Sequence, residues 1–138
     1  MRLADTLTHM KRTIETDDAP AAVGAYSQGT ATEDLVFTAG QIPLTPDGDL
    51  LDDAATDVQT QQALENVEAV LAEAGVSMAD VLKVTVYMAS IERFDAMNTA
   101  YEEFFEDEPP ARSAVEVAAL PKGVDIEIEA IATTGDGE

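Results

Sequence analysis

Between Pro109 and Ala132 the chain reads PPARSAVEVAALPKGVDIEIEAIA. Two short alternating runs flank Leu120-Pro121-Lys122-Gly123, the pattern of two β-strands joined by a turn. Arg112 opens the first run and Glu127 sits inside the second. A guanidinium can grip a carboxylate through two parallel N–H bonds, and a glutamate can take up and return a proton. On neighbouring strands the two would suit a small anionic substrate whose reaction moves a proton. Taken singly, each residue has a plainer reading. Arg112 is a surface or interface ion-pair residue, and Glu127 alternates with Glu129 on a solvated strand face. Tyr26 reads as a packing residue, Asn98 as helix surface, and Gln41 after Gly40 as loop.

Other chemistries lack their parts. There is no cysteine, which removes disulfides, thiol catalysis and thiolate metal sites. The only histidine is His9, within the N-terminal stretch that reads as a detached tail, so Ser-His-Asp and Cys-His mechanisms are not expected. Asp17-Asp18 and Asp52-Asp53 come without metal-ligand spacing, and Gly24 and Gly29 do not build a phosphate loop.

The elements that must position Arg112 and Glu127 can be read from periodicity. Residues 1–9 look like a tail, either preceding a start at Met10 or frayed. Residues 10–134 form one domain, and 135–138 a second tail. Lys11–Ile14 and Leu35–Ala39 read as strands. A helix is expected from about Ala54 to Ala74, with Leu64, Val67, Leu71 and Ala74 on one face, Asp52 or Asp53 as its cap and Gly75 as its stop. Leu82, Val84, Val86 and Met88 alternate with Lys83, Thr85 and Tyr87 in a half-buried strand. Ser90 then caps a second helix that carries Phe94, Met97, Tyr101 and Phe104 on one face, and Pro109-Pro110 stops it. The order is strand, strand, helix, strand, helix, strand, strand. It predicts an α+β fold with both helices on one sheet face and a partly apolar opposite face in need of a partner subunit.

The chain has 138 residues, 46% of them hydrophobic, enough for one real core. Its net charge of −21 repels phosphate backbones and makes nucleic acid a poor partner. Apolar periodicity separates it from acidic disordered chains. What is left is a folded protein with a dense acidic surface, the pattern of halophilic cytosolic proteins, which salt should stabilise. No apolar run is long enough to span a membrane, and the first residues lack the regions of a secretory signal. A cytoplasmic protein is expected.

An ordered series of motifs runs through the chain. It comprises Ala19–Gln28 (APAAVGAYSQ), Thr38–Pro43 (TAGQIP), Gln62–Val67 (QALENV), Val81–Val86 (VLKVTV), Met97–Tyr101 (MNTAY), Phe104-Phe105, and Pro110-Ala111-Arg112-Ser113 through Glu127-Ile128-Glu129. From about Lys11 to Thr133 the series resembles the reactive intermediate deaminases, the RidA or former YjgF family. The resemblance implies a chorismate-mutase-like (bacillus-type) fold, a mixed sheet with two helices on one face, and a homotrimer with active sites between subunits. It implies hydrolysis of 2-imino acids such as 2-iminobutanoate and 2-iminopropanoate to 2-oxo acids and ammonia, with no cofactor and no metal.

By the same resemblance Arg112 binds the substrate carboxylate, and Glu127 activates water and relays the proton. Tyr26 and Asn98 line or shape the pocket, Gly40 permits a close backbone approach near the ligand, and the backbone at Ala114 adds a carboxylate contact. Three positions depart from the family: Ala39 for a common serine, Ala25 for a frequent proline and Ala114 for a frequent cysteine. Ala39 removes one hydroxyl contact. A rival reading is a non-catalytic trimer that binds small carboxylates as a sensor or chaperone; it would keep Arg112 but not need Glu127. The RNA-cleaving role of some relatives is disfavoured by the acidic surface and by the lack of any histidine beyond His9 in the tail.

Overall fold

Along residues 126–133 the side chains alternate between buried and half-exposed, so this strand has one dry face and one wet face. Much of the fold is built to cover the dry one. The computed structural model describes residues 10–134; the expected tails at 1–9, with His9, and 135–138 lie outside the described residues. The strands are β1 (Arg12–Ile14), β2 (Gly29–Ala31), β3 (Leu35–Thr38), β4 (Val81–Met88), β5 (Ala111–Glu116) and β6 (Ile126–Thr133). The helices are α1 (Thr56–Glu73) and α2 (Phe94–Glu102). The strands form one sheet in the order β1-β2-β3-β6-β4-β5, antiparallel except for the β4–β5 pair.

Both helices feed one core. Leu64, Val67 and Leu71 of α1 and Met97 and Tyr101 of α2 are buried in one cluster with Val84, Val86, Ile126 and Ile128 of the sheet. Each such aliphatic side chain contributes about 1.5–3 kcal/mol through burial. This is the expected α+β arrangement, a mixed sheet with two helices on one face. The other face is open and partly apolar: Phe37 and Val115 stand there, 38% and 41% exposed, beside Thr85, Tyr87, Glu127 and Glu129.

The expectation that Arg112 and Glu127 lie on neighbouring strands fails. β4 runs between β5 and β6, pairing Val84 with Arg112 on one side and Tyr87 with Glu127 on the other. β4 buries Val84, Val86 and Met88 completely and belongs inside the sheet, whereas β5 leaves most of its side chains exposed and suits an edge. Parallel pairing needs a crossover, and α2 supplies it between β4 and β5. The turn at Pro121–Gly123, with Lys122 at φ 59°, falls in the connection that carries the chain past β4 to β6.

Smaller differences have local causes. β2 is an extra strand: three residues with a glycine carry no alternation to read. It pairs with both β1 and β3, and α1 packs so close that a Cβ on Gly29 would lie 2.8 Å from Val70 Cγ1. Neither Asp52 nor Asp53 caps α1; Ala55 holds the N-cap position without a side-chain bond. The buried Gln59 ties that end down instead, donating to the carbonyls of Asp52 and Ala54 and exchanging hydrogen bonds with Asp125. The other end is as expected. Gly75 at φ +87° lets its own N–H reach the Ala72 carbonyl and the Val76 N–H reach that of Leu71, a Schellman closure. Ser90 makes no side-chain cap; a 3-10 turn at Ile91–Arg93 precedes α2. A register shift between Val81 and Lys83 turns Val81 inward and leaves Leu82 50% exposed.

Candidate active site

Glu127 projects from β6 on the open face. Directly after β3 the chain doubles onto it. Gln41 N–H donates to the Ile128 carbonyl at 2.8 Å, and Ile128 N–H donates back to Gln41 at 2.9 Å. These two bonds lay the Gly40 backbone across the Glu127 side chain. A Cβ on Gly40 would run into Glu127 Oε2 and come within 2.9 Å of its carboxyl carbon. The close approach that the structure shows at Gly40 is to the glutamate. Burial, and after it the neighbouring Glu129, hold the Glu127 carboxyl above its ordinary value.

The carboxyl opens into a cleft of about 650 Å³ whose walls include Val23, Tyr26, Ala39, Ile42 and Leu44. Ala39 puts a methyl group there, where a serine would bring a hydroxyl. Tyr26 is 55% exposed, within reach of anything that enters. Two buried amides hold the walls in place, and neither was singled out from the sequence. Gln28 accepts from Thr16 N–H at 2.7 Å and donates to the Pro20 carbonyl at 2.7 Å, pinning the loop that leads to Tyr26. Asn66 of α1 donates to the carbonyls of Ile42 and Leu44 at 3.1 and 2.8 Å. Both amides are satisfied, as buried polar groups must be. Asn66 had a readable signal: a polar residue within the apolar stripe of Ala63, Leu64 and Val67.

Arg112 sits elsewhere. Its register partner Val84 faces the core, so its side chain shares the helix-covered face at the sheet edge. The guanidinium carbon lies 4.6 Å from the Tyr101 ring centroid and 5.2 Å from that of Phe94. Nη1 donates to Asn98 Oδ1 at 2.7 Å, and Asn98 Nδ2 donates to Glu102 Oε2 at 2.9 Å. Ala114 follows on the same face, packed against the core. Val117 N–H donates to the Met88 carbonyl at 2.9 Å. Alternation along the strand then turns the N–H groups of Val115 and Ser113 toward β4, and those of Ala114 and Arg112 toward the outer edge. That edge carries no paired strand among the described residues.

The candidate residues thus divide into two groups. Tyr26, Ala39, Gly40 and Glu127 meet at the cleft; Arg112, Asn98 and Ala114 meet at the β5 edge. The groups occupy opposite faces of the sheet, and Arg112 is not a wall of the Glu127 cleft. One group offers a guanidinium and an edge amide to an anion. The other offers a carboxyl poised to move a proton. No cluster of three metal-ligating side chains occurs among the described residues, and no described helix is long and apolar enough to cross a membrane.

Known proteins share this frame. The sequence pattern of the endoribonuclease L-PSP family matches residues 16–134. A RutC family protein of Pyrococcus horikoshii is 49% identical over 124 residues, covering 89% of this chain and 98% of the relative. The 2-iminobutanoate/2-iminopropanoate deaminase of Escherichia coli is 46% identical over 127 residues, with coverages of 89% and 98%. Among solved structures, E. coli TdcF with bound serine superposes with a TM-score of 0.84 at 43% identity, covering 88% of this chain and 98% of that one. The E. coli YjgF gene product gives 0.84 at 44%, with the same coverages. Matched along almost its whole described length, in sequence and in fold, the chain belongs to the endoribonuclease L-PSP (YjgF/RidA) family.

Proposed function

We propose that the protein hydrolyses small 2-imino acids to 2-oxo acids and ammonia, at sites completed between subunits of a homotrimer in the cytoplasm. The observation that carries the reading is Glu127: a carboxyl partly desolvated in a mostly apolar cleft that Lys122 also lines, approached closely by the Gly40 backbone and held above its ordinary value. A carboxyl shifted in this direction is more readily protonated than an exposed one and can act first as base and then as acid. Relatives named for this activity at 46% identity support it.

In this reading Arg112 grips the substrate carboxylate with the edge N–H of Ala114 beside it, fixing the plane of the adjacent C=N. Glu127 removes a proton from water as the oxygen bonds to the imine carbon and hands it to the imine nitrogen, giving a carbinolamine. Glu127 then takes the carbinolamine hydroxyl proton and delivers it to the nitrogen; the C–N bond breaks, ammonia leaves and the oxo group forms, with Glu127 back in its starting state. Tyr26 and Ala39 border the substrate, and Asn98 shapes its site through Arg112. A subunit interface is required because one chain holds the two groups on opposite sheet faces. The exposed Phe37 and Val115 on the open face suit burial against a second copy.

The test generates 2-iminobutanoate in situ with a threonine dehydratase and follows imine decay, 2-oxobutanoate and ammonia with and without the protein. Acceleration is expected. Decay at the uncatalysed rate rejects the deaminase reading.

A further inference from the structure

Arg112 is a cation that the described residues leave un-neutralised. The sequence carries 28 acidic residues, yet no carboxylate pairs with Arg112 among the described residues. Its partners are a neutral amide oxygen and two aromatic rings. Rings attract a guanidinium through their faces without occupying its in-plane N–H donors. A carboxylate would occupy those donors and cancel the charge.

The exposed acid one helical turn beyond Asn98 is Glu102, and it is engaged by Asn98 rather than by the arginine. That bond decides which way the Asn98 amide faces: its NH₂ is taken by a carboxylate, so its oxygen is presented to Arg112. Asn98 stands as a neutral spacer between acid and cation. Tyr101 is 4% exposed, and its hydroxyl has no hydrogen-bond partner among the described residues. A buried hydroxyl without a partner does not stabilise a fold. What Tyr101 contributes here is the ring, itself braced by Phe105 at 4.7 Å between centroids.

We propose that Phe94, Tyr101 and the Asn98–Glu102 pair are positioning residues that hold the Arg112 guanidinium in place and keep it un-neutralised, ready for a planar carboxylate. The inference rests on the reading of Arg112 as the carboxylate clamp. Binding then loses little to side-chain ordering and needs no ion pair to be broken first.

The experiment measures KM and kcat for 2-iminobutanoate, the Kd of 2-oxobutanoate by calorimetry, and the melting temperature. Asn98→Asp places a carboxylate against Arg112; KM and Kd rise about a hundredfold, consistent with the loss of a charge-assisted contact. The melting temperature does not fall, which a merely structural role for Asn98 would not produce. Tyr101→Leu raises KM about tenfold, and Tyr101→Phe, which returns the ring, restores it. Glu102→Ala, on the exposed side of α2, keeps the fold secure and raises KM by about threefold through a freely turning Asn98 amide.

Asn98→Asp binding 2-oxobutanoate as tightly as the parent overturns the proposal. So does a Tyr101→Phe variant no better than Tyr101→Leu, or a folded Glu102→Ala protein with unchanged KM. A parent protein that neither binds 2-oxobutanoate nor hydrolyses the imine overturns the clamp reading itself and this inference with it. Normal parent activity with unmoved variants defeats the positioning claim alone.

Discussion

The β5 edge and the Gly40 cleft hold ionisable groups in opposite ways. At the edge, Arg112 keeps its charge in place through rings and an amide, with no counter-ion among the described residues. In the cleft, Glu127 is pressed by backbone and apolar walls into a setting that resists its charge. A group meant to bind an anion must stay charged and available. A group meant to move protons must exchange them near the working pH. Under the proposed function the two regions serve different steps, binding and chemistry, and the variants that separate those steps test it.

The largest effects are expected from removing each group. Glu127→Gln should lower kcat by about 10²–10⁴-fold with a modest change in KM, as loss of general acid–base help does. Arg112→Ala should instead raise KM by about a hundredfold, the loss of charge-assisted hydrogen bonds. Steady-state kinetics distinguishes them; the same KM-against-kcat pattern for both would erase the contrast. Next comes Gly40→Ala. The added methyl displaces the Glu127 carboxyl, so kcat falls by about 10–100-fold, the scale of a misplaced catalytic group, while Kd for 2-oxobutanoate moves little. An active Gly40→Ala protein would show that the carboxyl's position is not critical.

Smaller effects come from the supports and from pH. Asn66→Ala leaves two carbonyls of the cleft wall without their donor; it should cost about 1–3 kcal/mol in chemical denaturation. The pH effect has a definite sign. Glu127 is held above its ordinary carboxyl value, so its protonated form favours the fold. That contribution is full below the ordinary value and is lost as pH rises through the raised one. Glu127→Gln should therefore melt higher than the parent above this window, and the gap should close below it. Glu129→Gln removes the second cause of the shift, after burial, and should move the acid limb of kcat to lower pH. A limb that stays put would mean that Glu129 does not act on Glu127. Melting should also rise from low to molar KCl if self-repulsion among the surface acids is what salt relieves.

The sequence carried much of this fold in its periodicity. The apolar stripe of α1, the alternation of β4 and β6 and the Gly75 stop were legible because each is written in neighbouring residues. Strand order was not. Nothing local in residues 109–132 says that β4 lies between β5 and β6; that follows from which strand is dry enough to sit inside. The candidate residues could be picked out from the sequence, but their arrangement could not. Arg112, Glu127 and Gly40 were read from types and ordered motifs, whereas their division between two faces depends on register. Gln28 and Asn66 escaped notice because their roles are hydrogen bonds to distant carbonyls.

The most direct test of the divided site is subunit mixing. Arg112→Ala and Glu127→Gln proteins, each nearly inactive alone when assayed at imine concentrations well below the parent's KM, are unfolded together in equal amounts and reassembled. If each site takes Arg112 from one subunit and Glu127 from its neighbour, random assembly gives about one intact site in four, by a head-to-tail ring of two subunit types. About a quarter of the parent's imine hydrolysis should return, with all of it in the trimer fraction. A mixture that stays as inactive as its components would place both residues in one subunit's site and contradict the account.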